Sequence, residues 1–282
     1  MRVGEASGTA LYVAMARAVA HARGRVRGFS DPIARQLLPP DARRLVDRLL
    51  SGEPAGWRDR ARLTVVRRMA RMISLRTIAI DDAVRGAAPV RQLVILGAGL
   101  DGRAWRMQEL ADAVVFEVDH PATQAVKRER TAALQPAARE VRFVPVDFQR
   151  DALDEALAEA GHDACAPTVF LWEGVVRYLT LAAIEATLDA VARRAARGSR
   201  FIANYTAGGS RARWLSNLVL RAIGEPIRSE HTPVGFAALL AVRGFGVVSD
   251  TTAVAWAERG GVPLGERRRS EERRHVAVAV RT

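Results

Sequence analysis

The run Gln92-Leu93-Val94-Ile95-Leu96 passes directly into Gly97-Ala98-Gly99-Leu100-Asp101-Gly102, and this junction constrains the chain more than any other feature. A short, continuous apolar run ending in glycine predicts a strand buried on both faces of a parallel sheet. The GxGxxG spacing that follows predicts a tight turn opening a helix, where backbone without side chains can approach a ligand closely. The start of the following helix favours negative charge through its unpaired N–H groups and dipole.

The rest of the chain fits that junction. Val114–Val118, Val141–Val146, Thr168–Leu171 and Arg200–Ala203 are further strand candidates, and helical patterns lie between them at 103–111, 121–134, 151–160 and 180–197. Such alternation predicts βαβ units with helices on both faces of a parallel sheet. Near the end, Gly244–Val248 and His275–Val280 flank a polar, Arg-rich loop with no helical pattern, which predicts an antiparallel pair closing the sheet. The first ninety residues read as helices. One opens at Gly8-Thr9 and runs to about Ala22, and another begins at Phe29-Ser30-Asp31-Pro32 with Asp31 as N-cap and Pro32 at the first position. The longest spans about Ala61 to Val84, where Met69, Ile73, Arg76, Ile80 and Val84 fall on one face. An arginine on that apolar stripe needs an anion or an exit to solvent.

Charge is the unusual bulk property: 43 Lys+Arg against 31 Asp+Glu give a formal net charge of +12. Lys127 is the only lysine, and the arginines are dispersed among acids, as in Arg58-Asp59-Arg60 and Glu271-Glu272-Arg273. A nucleic-acid reader clusters its basic residues with aromatics, and aromatics make up only 6% here. No nucleic-acid partner is expected. Cys165 stands alone, which excludes an intramolecular disulfide and suits a reducing, cytoplasmic compartment. The apolar stretch from Ala10 to Ala20 is broken by Arg17, so neither a secretory signal nor a membrane span is expected.

The glycine turn serves both nicotinamide dinucleotides and S-adenosylmethionine, and the surroundings separate them. An acidic residue about 20 positions on meets the ribose, and both Glu117 and Asp119 stand at that distance. A Tyr-x-x-x-Lys dehydrogenase pair is impossible, because Thr123 precedes the only lysine by four. Ninety helical residues before the turn and an antiparallel end to the sheet fit methyl transfer better. The rival readings are an NAD(P)-dependent oxidoreductase and a non-catalytic binder of nucleic acid or an adenosyl ligand.

An ordered set of segments carries a closer likeness: Thr9-Ala10-Leu11, Asp31-Pro32-Ile33-Ala34, Arg76-Thr77, Leu96 to Asp101, Glu117-Val118-Asp119-His120-Pro121, Val146-Asp147-Phe148 and Trp172 to Leu179. Together they resemble the leucine carboxyl methyltransferase-like family of class I S-adenosylmethionine-dependent enzymes, with its bacterial and polyketide O-methyltransferase branch. The likeness covers about residues 8–206. It implies an α/β fold: a doubly wound, Rossmann-like seven-stranded methyltransferase sheet with an antiparallel last strand pair and an N-terminal helical extension. The expected organisation is one domain, with a helical cap at 1–88, a cofactor core at 89–205, an acceptor lid at 206–235 and closing strands at 236–282.

The resemblance also implies roles. Arg76 would hold the carboxylate of S-adenosyl-L-methionine; Gly97, Ala98 and Gly99 would pass beneath its methionine and ribose. Asp119 would take the ribose hydroxyls, with Glu117 a structural neighbour or second choice. Asp147 would accept from the adenine amino group and the Phe148 amide would meet the ring. Glu173 would sit near the ammonium and sulfonium charge, and Glu173 with Tyr178 would form the acceptor side. The alternatives are structural: Arg76 pairing with Asp81 or Asp82, Asp101, Asp147 and Glu173 as helix caps, and Tyr178 as core. The five histidines show no metal-ligand spacing. The expected reaction is methylation of an oxygen on a small, anionic molecule. Arg177, Arg211 and Arg213 are candidates to steer it, and His231 is the one weak candidate for a base.

Overall fold

The computed structural model describes residues 8–53, 56–148, 150–208, 227–264 and 268–282. Three helices come first: α1 (Gly8–Arg23), α2 (Pro40–Ser51) and α3 (Trp57–Arg85). The alternating part follows as β1 (Gln92–Leu96), the short α4 (Arg103–Arg106), β2 (Val114–Asp119), α5 (Pro121–Thr131), β3 (Glu140–Pro145), α6 (Leu153–Glu159), β4 (Val169–Trp172), α7 (Leu181–Arg194) and β5 (Arg200–Thr206). The chain closes with α8 (Pro233–Ala241), β6 (Phe245–Thr252), α9 (Ala253–Arg259), α10 (Arg268–Glu271) and β7 (Arg274–Arg281).

Seven strands form one sheet in the order β3-β2-β1-β4-β5-β7-β6. The first five in that order are parallel, and β7 runs antiparallel to both β5 and β6. Every residue of β1 and β4 is buried, as expected for strands covered on both faces. One apolar layer packs Ile80 and Val84 of α3, Trp105 and Trp256 against the sheet, and the other packs Leu157, Ile184, Leu188 and Phe236. A third cluster lies within the N-terminal helices, where Met15, Val19, Leu45, Val66 and Ile73 meet. The expected α/β fold with an antiparallel end and a helical extension is therefore present. Strand order reverses between β1 and β4, and the crevice at the carboxyl ends of those strands is where open α/β sheets bind ligands.

Two local expectations fail. No helix begins at Pro32; the segment after Asp31 is a series of tight turns, with Ala34 N–H donating to Asp31 Oδ1 at 3.1 Å and Gln36 N–H to Ile33 O at 2.9 Å. The run is too short before Pro39 and Pro40, and α2 starts afresh there. The chain between the last two strands is also not simply loop. Thr252 caps α9, whose Val254, Trp256 and Ala257 are buried against the sheet, so a short apolar helix hides within an Arg-rich stretch. No described helix is long and apolar enough to cross a membrane.

Candidate cofactor and acceptor site

A cavity of about 450 Å³ opens over the crevice between β1 and β4. Its floor is the glycine turn. Gly97 and Gly99 both have positive φ, 68° and 49°, which non-glycine residues rarely adopt. A Cβ on Gly97 would strike the Val175 side chain, and one on Gly99 would stand 3.2 Å from Ala10 Cβ. The Gly97 and Ala98 amides both donate to Val118 O, at 2.8 and 3.0 Å, which anchors the turn to the end of β2.

The two acids of β2 take different places. Glu117 points into the core, where Lys127 Nζ lies 2.7 Å away and burial pushes its carboxyl up to about 7 despite that lysine. Asp119 lines the cavity at the strand end and accepts from Gly99 N–H and, at 2.6 Å, from His120 N–H. Burial raises its pKa against those two bonds. Asp147 and Phe148 line the cavity beyond it, with Asp147 N–H donating to Asp151 at 2.7 Å.

Arg76 and Glu173 meet across the crevice. Arg76 Nε and Nη2 lie 2.9 and 2.8 Å from Glu173 Oε1, and Arg103 Nη1 lies 2.7 Å from Oε2. Burial alone would raise the Glu173 carboxyl; the guanidiniums of Arg103, Arg76 and Arg17 outweigh it and hold it at about 2. Arg76 does not pair with Asp81 or Asp82. Asp81 belongs to Arg103 and Arg106, both at 2.7 Å, and Asp82 to Arg85 at 3.0 Å. Asp101 lines the cavity and also caps the turn, accepting from Arg103 N–H at 2.8 Å and from the Arg103 guanidinium. Glu173 caps no helix in this arrangement.

Sequence reasoning missed what lies beneath. Arg17 reaches Asp31 at 2.7 Å and Asp101 at 4.0 Å, while Arg103 is fully buried between Asp81, Asp101 and Glu173. Arg17, Arg76, Arg103 and Arg106 thus balance Asp31, Asp81, Asp101 and Glu173, four charges against four. The available signal was Asp101-Gly102-Arg103 with Arg106 one turn on, immediately after the glycine turn.

The far end of the cavity has another character. Tyr178, Tyr205, Thr206, Arg177, Arg228 and Arg274 line it. The Arg177 guanidinium sits 5.5 Å from the Tyr178 ring centroid. Tyr205 donates to Asp250, which also meets His275 Nδ1 at 3.0 Å. His231 does not line the cavity; it packs against Phe236, and burial lowers its pKa. Arg211 and Arg213, with most of the expected lid, lie outside the described residues. Among the described residues, no cluster of His, Cys, Asp or Glu is arranged to hold a metal ion.

Fold and site together define the class of S-adenosylmethionine-dependent methyltransferases, and the likeness to known proteins carries this to a family. Residues 10–192 match the model of the leucine carboxyl methyltransferase family. A Mycolicibacterium gilvum protein named "Putative S-adenosyl-L-methionine-dependent methyltransferase" is 37% identical over 238 residues, covering 79% of this chain and 72% of its own. A Streptomyces coelicolor protein of the same designation is 44% identical over 138 residues, covering 47% of this chain but only 45% of its own length. A geranyl diphosphate C-methyltransferase from S. coelicolor, solved with S-adenosyl-L-homocysteine, superposes with a TM-score of 0.55 at 15% identity over 82% of this chain and 83% of that one, a likeness of fold. The chain belongs to the leucine carboxyl methyltransferase family.

Proposed function

We propose that the chain transfers a methyl group from S-adenosyl-L-methionine to an oxygen of a small, anionic acceptor, a carboxylate in preference to a phenol. The observation that carries this reading is the division of the cavity lining. Asp101, Asp119, Asp147 and Glu173 stand around the glycine turn and the ends of β2 to β4. The far end, with Arg177, Tyr178, Arg228 and Arg274, has neither carboxylate nor imidazole among the described lining residues.

The lining suits the cofactor group by group. Arg76 offers its carboxylate a guanidinium, and Glu173, held ionised, faces its ammonium and sulfonium charge. Gly97, Ala98 and Gly99 form a bare backbone cradle, in which a Cβ at Gly97 would strike Val175. Asp119 takes the ribose hydroxyls, Asp147 the adenine amino group, and the Phe148 amide the ring. When bound, the cofactor supplies an electrophilic methyl group. A carboxylate acceptor is already ionised near neutral pH, so the residues need only align it and exclude water, effects worth about 7–11 kcal/mol in well-oriented reactions. Tyr178 and Glu173 flank the acceptor's position. A phenol, with a pKa of about 10, would want a base, and the flanking Glu173 carboxyl, held at about 2 by its arginines, is too weak to serve as one. A polyketide-like acid of secondary metabolism, met in the cytoplasm where the exposed thiol of Cys165 stays reduced, fits these demands.

Incubation with methyl-labelled cofactor and a panel of carboxylic acids and phenols tests the reading. The expected product is an ester whose label is released by mild alkali; label held only on phenols as alkali-stable ether overturns the carboxylate preference. Thermal stabilisation by NADH and none by S-adenosylmethionine would overturn the class. Arg76→Ala and Asp119→Ala are expected to weaken cofactor binding about tenfold to a hundredfold by calorimetry. Unchanged affinity in both variants would show the site assignment to be wrong.

A further inference from the structure

We infer that the acceptor carries a second anionic group, a carboxylate or a phosphate, which Arg177 and Arg228 bind at a distance from the oxygen that is methylated. This inference rests on the methyltransferase reading above. The Arg177 guanidinium lines the cavity, its Nε is buried, and that atom has no hydrogen-bond partner among the described residues. Its Cζ lies on the side of the Tyr178 ring, 5.5 Å from the ring centroid. A buried guanidinium N–H without a partner, on a group whose planar fork matches an oxyanion, suits a planar or tetrahedral anion in the cavity.

Arg228 is held next to it by the backbone. Its N–H donates to Arg177 O at 2.8 Å, and Ser229 Oγ donates to Val176 O at 2.8 Å. The Arg228 side chain is exposed, lines the same cavity and pairs with no carboxylate among the described residues. Arg274, the third arginine at this end, is already engaged by Glu271 at 2.9 Å.

Two guanidiniums with no carboxylate partner among the described residues, if turned on the nucleophilic carboxylate, would oppose the reaction, because paired, charge-assisted hydrogen bonds occupy the lone pairs that must attack the methyl carbon. They suit a different group on the same molecule, one that anchors and orients it. Arg177 is in this sense a specificity-determining residue.

Calorimetric titration of inorganic phosphate and, separately, glutarate into the full chain saturated with S-adenosylhomocysteine tests this. At least one anion is expected to bind, the phosphate arm marking a phosphate group and the glutarate arm a carboxylate. Arg177→Gln should weaken that binding about tenfold, while Arg91→Gln, which removes an exposed guanidinium just before β1, should leave it unchanged. The inference is overturned if neither anion binds, if Arg177→Gln binds as tightly as the unaltered chain, or if Arg91→Gln weakens binding equally. Saturation with S-adenosylhomocysteine is measured first. Its failure would defeat the cofactor reading, whereas its success with no effect of Arg177→Gln defeats only the second-anion inference.

Discussion

The two ends of the cavity differ in whether their charges already have partners. Around the glycine turn, four guanidiniums and four carboxylates are mutually paired, and Arg103 is fully buried among them. At the other end, Arg177 and Arg228 have no carboxylate partner among the described residues. Buried ion pairs are a poor source of net stability, because desolvation offsets attraction. The consequence of the paired end is therefore geometry: α1, α3, the glycine turn and β4 are fixed relative to one another. A rigid end suits a ligand that never varies. An end whose arginines have no carboxylate partner among the described residues leaves part of its electrostatics to whatever enters.

The sharpest way to break this contrast is to remove one arginine from each end. Arg103→Ala would take from Asp81, Asp101 and Glu173 the one cation all three share, leaving them only Arg106, Arg17 and Arg76, and losing one partner of a buried pair costs about 3–5 kcal/mol. Arg177→Ala removes no ion pair among the described residues, so its unfolding free energy should change by no more than about 0.5 kcal/mol. Chemical denaturation of both variants measures the difference. Equal losses would mean that the two ends are not distinct in the way the pairing suggests.

Acid should report on the same contrast. The Glu173 carboxyl is held at about 2, below its ordinary 4.5, and Asp101 and Asp81 are also lowered, Arg103 leading in each, against the effect of burial. A carboxyl depressed in the folded state contributes stability that is fully present above its unfolded pKa and lost as pH falls through the folded one. For Glu173 the window runs from about pH 4.5 down to 2, and the contribution is about 3 kcal/mol. Asp119 moves the other way, because burial raises it. Its contribution weakens as pH rises, so it does not account for acid unfolding. The expected result is a steep loss of stability below pH 4.5 that flattens in Glu173→Gln. An unaltered slope in that variant would remove Glu173 from the set of groups whose protonation unfolds the chain.

These properties were legible in the sequence to very different depths. The strand–glycine junction could be read because both signals are local: an apolar run buried on both faces and residues that tolerate positive φ. The β2 acids could be read only as a pair, since Glu117 and Asp119 share one face of the strand. What separates them is tertiary, with Lys127 of α5 closing over mid-strand and only the strand end reaching the cavity. The structural alternative, Arg76 pairing with Asp81 or Asp82, fails on helix geometry. Residues five or six apart do not face one another on a helix, as those three or four apart do; Asp82 meets Arg85 three residues on, and Arg103 reaches Asp81 from beyond β1. The arginine network itself joins positions from Arg17 to Glu173, and no periodicity links residues so far apart. Asp31 was misread for a related reason. It has the composition of an N-cap, but its carboxylate is drawn to Arg17 and the chain after it only turns.

The finest test of the contrast lies at its weakest point. Arg228 is exposed, so whatever it contributes to an anion is screened by water and salt, at about 0.2–1 kcal/mol. Arg228→Gln should therefore weaken phosphate or glutarate binding to the S-adenosylhomocysteine complex by only a few fold, with cofactor affinity and unfolding free energy unchanged. Ionic strength separates this from a change of shape. The Debye length falls from about 8 Å at physiological salt toward about 3 Å at 1 M, so the difference between Arg228→Gln and the unaltered chain should shrink as salt is added. The larger effect of Arg177→Gln, whose Nε is buried, should persist. If the Arg228 difference is instead constant with salt, its side chain acts by packing rather than by charge, and the open end of the cavity has one anion-binding arginine, not two.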